Sequence, residues 1–75
     1  MDLANAFGRV LRKKRNDAGY SQEKLAELCS LERTYISFLE RGERKPSLNI
    51  TFRVAKAFNM KASDLIVEVE NILDQ

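Results

Sequence analysis

Gly19-Tyr20-Ser21-Gln22-Glu23-Lys24-Leu25-Ala26-Glu27-Leu28-Cys29-Ser30-Leu31-Glu32-Arg33-Thr34-Tyr35-Ile36-Ser37-Phe38-Leu39-Glu40-Arg41-Gly42 is the stretch whose reading decides the fold. Ser21 is a good N-cap, and Leu25, Ala26 and Cys29 behind it share one helical face. That helix has about two turns and cannot stand alone. After Ser30-Leu31 a second short helix is predicted from about Glu32 to Arg41, with Ile36, Leu39 and Tyr35 inward and Gly42 at its end. Two short helices cross steeply only where the residue at closest approach is small, and Ala26 is that residue. Leu25, Cys29, Ile36 and Leu39 form the wedge between them. The turn is short, so the second helix is pushed outward with one face free.

Outside this stretch, Gly19, Gly42 and Pro46 cut the chain into blocks of helical periodicity with no persistent β-type alternation. A first helix over about residues 3–18 has the stripe Leu3, Phe7, Val10, Leu11 and Ala18, opposite Arg9, Arg12, Lys13 and Asn16. Ser47 caps a fourth helix with Leu48, Phe52, Ala55 and Phe58 inward and Val54 beside them; Asn59, tolerant of left-handed backbone, ends it. A fifth helix runs from Ala62 or Ser63 to Asp74. Its Leu65 closes the core. Ile66, Val69, Ile72 and Leu73 are surplus for so small a bundle and predict a dimer interface in the segment 62–74. The expected fold is all-α: one domain, residues 1–75, built as a compact orthogonal bundle of five helices.

Composition narrows the chemistry. There is one cysteine and no histidine in 75 residues, so neither a disulfide, a usual zinc finger nor a Cys–His nucleophile can be built. Low cysteine usage fits a reducing, cytoplasmic setting. No apolar run reaches membrane-spanning length, and the start has no basic region followed by an apolar one, so neither a membrane segment nor a secretory signal is expected. No paired carboxylate or phosphate-cradling glycine loop is present, so no enzyme, cofactor, metal or small-molecule ligand is expected. Residues 1–45 hold ten Lys/Arg against seven Asp/Glu, while residues 61–75 hold one Lys against four acids. That drift from basic to acidic suggests two different surfaces, one facing something anionic.

The words Gly19-Tyr20-Ser21-Gln22, Leu25-Ala26, Ile36-Ser37 and Glu40-Arg41-Gly42 resemble the phage Cro/repressor (XRE-type) helix-turn-helix family, whose members have a lambda-repressor-like DNA-binding fold. Arg44, Pro46-Ser47-Leu48, Val54-Ala55-Lys56-Ala57-Phe58 and Asp64-Leu65 extend the likeness over roughly residues 7–66. Arg33-Thr34-Tyr35-Ile36-Ser37, on so short a chain, is also similar to the controller proteins of restriction–modification systems. Three positions depart from the family pattern. Ser30 stands where the turn often has glycine, Lys14 where an apolar residue is expected, and Lys61 where the fifth helix usually has a small polar cap.

The resemblance implies a dimeric transcriptional regulator reading a palindromic site in double-stranded DNA, with residues 21–41 as the helix-turn-helix. A helix fits the major groove, and the N-terminal residues of the recognition helix reach base edges. Arg33, Thr34, Ser37 and Glu32 are the expected base contacts, Arg33 foremost because a guanidinium can bind guanine O6 and N7 together. Gln22 at a helix N-terminus, Tyr35, Arg44, Lys45 and Asn49 are expected on the phosphate backbone. The basic run Arg12-Lys13-Lys14-Arg15 reads instead as a solvated face. The family also pairs an arginine late in its first helix with the glutamate before the glycine of its third, which implies an Arg15–Glu40 ion pair. Two other readings compete: an antitoxin binding both DNA and a toxin, and a protein-interaction module without DNA binding. The first is disfavoured by the lack of an added tail, the second by Gln22, Arg33 and Arg44 standing in their expected places.

Overall fold

In the computed structural model, which describes all 75 residues, the chain folds as α1 (Leu3–Asp17), α2 (Gln22–Cys29), α3 (Arg33–Glu40), α4 (Leu48–Ala57) and α5 (Ala62–Leu73). Local chemistry sets most of the helix starts. Asp2, Ser21 and Ser47 each accept a hydrogen bond from the backbone N–H three residues on, at Asn5, Lys24 and Ile50, which satisfies a donor the helix itself cannot. The Asn5 backbone bond, with a second from the Asn5 side-chain amide, also holds the Asp2 carboxyl below the usual carboxylate range. α3 and α5 begin at Glu32 and Lys61 with no side-chain cap, so tertiary packing must hold them.

Four of the five ends need left-handed or similar backbone. Gly19 and Gly42 supply it freely, whereas Ser30 (φ 56°) and Asn59 (φ 55°) adopt it with a side chain in place. The left-handed serine costs about 1 kcal/mol. Ser30→Gly removes that strain, offset in part by the greater freedom of glycine in the unfolded chain. The expected result is a thermal midpoint raised by about 3–6 °C. A lower midpoint, measured by circular dichroism, would mean that the serine side chain stabilises the turn by more than its strain costs.

Phe7, Val10, Leu11, Leu25, Ile36, Leu39, Val54, Leu65 and Val69 form the buried centre, with α1 laid against α3 and α5, α2 against α3 and α4, and α4 against α5. Ala26 and Cys29 are buried between α2 and its neighbours. Burial pushes the Cys29 thiol up from its ordinary value, partly countered by Arg53. No helix is long and apolar enough to cross a membrane.

Several inward assignments are corrected. Leu3 and Ala18 lie on the apolar side of α1 but at its ends, where neighbouring helices leave them exposed. Leu48 (74% exposed) and Phe52 (58%) point out of α4, while Thr51, Val54 and Ala55 point in. Two overlapping stripes satisfy helical spacing in α4, and the smaller side chains face inward. The Thr51 hydroxyl is satisfied there by donating to the Ser47 carbonyl at 2.9 Å. Phe58 is half-buried and stacks on Tyr20, ring centroids 6.1 Å apart. Lys14, on the margin of the core, reaches Glu68 of α5 at 2.7 Å, so its stem packs while its charge is paired.

Candidate nucleic-acid interface

α3 is amphipathic in the way a groove-reading helix requires. Ile36 and Leu39 are buried, Tyr35 is half-buried against the core, and Arg33 and Thr34 stand exposed on the first turn. Ser37 and Phe38 follow one turn later, half-buried, and Arg41 closes the outer strip at the helix end. Glu32 is exposed at the N-cap, where its backbone carbonyl accepts the first helical bonds and its side chain caps nothing.

A chain of polar contacts runs from the interior to this outer strip. Arg15 of α1 donates to Glu40 through Nε at 2.6 Å and Nη2 at 3.1 Å, and through Nη1 to the Tyr20 carbonyl at 2.9 Å. The Glu40 side chain is only 4% exposed. Its Oε1 also accepts from Gln22 Nε2 at 3.1 Å, and Gln22 Oε1 in turn accepts from Arg33 Nη1 at 3.3 Å. Arg15 and Glu40 are thus brought together, tying α1 to α3. Gln22 stands at the N-terminus of α2 between the buried carboxylate and Arg33, so the arginine at the front of α3 is oriented from behind.

The far end of α3 carries a second group. Arg41 donates to Ser37 Oγ at 2.5 Å and to the Glu43 carboxylate. The Arg41 and Arg44 guanidinium carbons lie 5.2 and 4.6 Å from the Phe38 ring centroid. Lys45 and Asn49 are exposed on the loop and on the first turn of α4. Ser37 is therefore engaged within the protein, unlike Thr34. The reading of spacing alone passed over Arg41, which helical periodicity from Arg33 and Ser37 would have placed on this strip.

The run Arg12 to Arg15 is not a free cationic stripe. Lys13 pairs with Asp17, Lys14 with Glu68 and Arg15 with Glu40, which leaves Arg12 solvated.

On α5 two residues of the expected dimer face, Val69 and Ile72, pack within the monomer instead. Val69 is 1% exposed and belongs to the core of the monomer, because the buried stripe of α5 is Leu65 and Val69 with Ile72 at its edge. Ile66 and Leu73 are exposed, and so is Val67 at 50%, which the expected stripe omitted. Phe52, also exposed, lines a groove with Met60, Ala62 and Ser63 at the α4–α5 junction.

Comparison with known proteins places these features in a family. The helix-turn-helix family profile matches residues 11–65. Control protein C.BamHI of Bacillus amyloliquefaciens is 44% identical over 61 residues, covering 80% of this chain and 75% of that protein. Among solved structures, the clp gene regulator ClgR of Corynebacterium glutamicum superimposes with a TM-score of 0.87 at 31% identity, covering 95% of this chain and 92% of that one. (A second ClgR crystal structure gives a TM-score of 0.88 over 76% of its chain.) The restriction–modification controller protein C.Esp1396I, solved as a tetramer in complex with its natural 35 base-pair operator, gives a TM-score of 0.89 at 25% identity, covering 100% of this chain and 99% of that one.

Proposed function

The chain belongs to the helix-turn-helix family, and from that premise we propose that it is a sequence-specific regulator of transcription that binds double-stranded DNA as a dimer on a palindromic operator. Within that class it acts as the controller of a restriction–modification operon. The observation that carries the reading is the front of α3: Arg33 and Thr34 are free of the core, and Arg33 is oriented through Gln22 by the buried Glu40–Arg15 pair. A side chain held in place before binding loses less freedom on meeting a base edge. The narrower assignment is supported by the 44% identity to C.BamHI and by the fold shared along the whole chain with C.Esp1396I, a controller solved on its operator.

In the DNA complex, Arg33 and Thr34 read base edges at the first turn of α3, with Ser37 and Glu32 at the margins of that contact. Gln22, Tyr35, Arg44, Lys45 and Asn49 meet the flanking phosphates and set the register. A second copy packs on the exposed apolar strip of Ile66, Val67 and Leu73, extended by Phe52. Two-fold symmetry then presents two α3 helices to successive half-sites about one DNA turn apart.

Selection of bound sequences from a random duplex pool, with wild type and Arg33→Ala side by side, tests this. Wild type is expected to enrich a palindrome, and Arg33→Ala to lose discrimination at one base pair per half-site by about 1–3 kcal/mol. An enriched sequence without two-fold symmetry would remove the dimer from the proposal. An unchanged motif in the variant would remove Arg33 from base readout. For the narrower assignment, the enriched motif is expected in the promoter that drives the protein's own gene alongside a restriction gene; occupancy confined elsewhere would exclude it.

A further inference from the structure

Phe38 stands out on the outer strip of α3, where an aromatic ring neither reads phosphates nor completes the core. It is half-buried, and it lies outside the contiguous cluster of buried apolar residues and their packed neighbours. What surrounds it is charge. The Arg41 and Arg44 guanidinium groups both lie within the range at which a cation is attracted to the face of a ring. Two guanidinium groups gathered on one side chain repel each other and stay together only if something attractive holds both. The ring supplies part of that attraction, and Ser37 and Glu43 hold Arg41 from its other side. Arg44 has less: Nη1 donates to the Glu43 carbonyl at 3.2 Å, and its Nε and Nη2 have no protein acceptor.

We propose that Phe38 is a positioning residue for DNA binding: its ring holds the Arg41 and Arg44 guanidinium groups stacked at the C-terminal end of α3, with the free N–H groups of Arg44 available for a phosphate. The proposal rests on the DNA-binding reading above. Arginine is rich in rotamers, and pinning it before the encounter reduces the ordering cost of the contact. Because phosphates carry no sequence information, this contribution acts on every duplex alike.

The test measures binding by fluorescence anisotropy over a range of salt concentrations. The probes are a labelled duplex carrying the motif that wild type enriches and a random-sequence duplex of equal length. Phe38→Leu keeps apolar volume but removes the ring. It is expected to weaken binding to both duplexes by about three- to tenfold, with the slope of log K against log salt unchanged and the thermal midpoint within a few degrees of wild type. Phe38→Tyr, which retains the ring, is expected to bind within about twofold of wild type. Arg44→Ala, which deletes a phosphate contact, is expected to reduce the steepness of the salt slope by about 0.9. Arg44→Lys keeps the charge without the planar group, and its effect should not add to that of Phe38→Leu.

Wild-type affinity in Phe38→Leu, a loss in Phe38→Tyr as large as in Phe38→Leu, or additive effects of Phe38→Leu and Arg44→Lys would each overturn the proposal. The double-variant comparison holds even if Phe38→Leu lowers stability, because it compares variants that share that change. Failure of wild type to bind either duplex is a different result. It overturns the DNA-binding reading itself and this inference with it.

Discussion

Glu40→Ala is expected to lower the thermal midpoint by about 15–25 °C, corresponding to a loss of roughly 3–5 kcal/mol. The carboxylate is almost fully withdrawn from solvent and accepts three hydrogen bonds, two from Arg15 and one from Gln22. Its removal leaves the Arg15 side chain, only 13% exposed, with the Tyr20 carbonyl as its remaining partner. The cost is chiefly that of a stranded charge rather than the worth of the pair. A domain of this size has a total stability of order 4–11 kcal/mol, so the loss is a large share of the whole. Replacing both partners, as in Arg15→Met with Glu40→Leu, is expected to be milder than Glu40→Ala alone, because no charge is left unpaired. Urea denaturation of the three proteins checks this order. Equal losses in the single and double variants would show that the pair itself, and not the stranding, carries the energy. The double variant also loses the anchor behind Gln22 and Arg33, so its DNA affinity is expected to fall although it remains folded.

Gly8→Ala is expected to destabilise by about 2–3 kcal/mol, against the direction that helix propensity predicts. In an exposed helix the change from glycine to alanine gains about 1 kcal/mol. Here a Cβ on residue 8 would sit 2.4 Å from the Leu39 carbonyl oxygen and 2.7 Å from that of Glu40. Both obstacles are backbone of α3, which cannot rotate aside as a side chain can. The helices must separate, and α3 is the element that presents Arg33 and Thr34. The variant is therefore expected to lose operator affinity together with stability, at temperatures where it is still folded. Chemical denaturation gives the sign: a more stable Gly8→Ala would mean that α1 and α3 do not approach as closely as described.

How much of this was legible beforehand depended on how many neighbours each feature involves. The caps at Ser21 and Ser47, the left-handed backbone at Asn59, and the ends at Gly19 and Gly42 are decided within a few residues. They could be read directly, as could the outward position of Arg33 and Thr34 once Ile36 and Leu39 were assigned inward. Gly8 could not be read this way. A glycine inside a helical block looks like a weak point until the backbone of another helix is found against it. The Phe38 cluster was equally hidden, since Arg44 reaches the ring from a loop whose path the local pattern does not specify.

Element order, the helical class of every block, the wedge of Leu25, Ala26, Cys29, Ile36 and Leu39, and the residue types at the front of α3 were all legible in the amino-acid pattern. These follow from periodicity and from backbone preferences that each segment carries with it. Tertiary structure decided which of two overlapping stripes is buried. In α4 it turned Thr51 and Val54 inward and left Leu48 and Phe52 outside; in α5 it took Val69 into the core and left Val67 exposed. Periodicity defines an apolar side only to within about one residue's rotation. The final choice belongs to the helices on the other side of the contact, which fill the space at close packing and leave outside whatever does not fit.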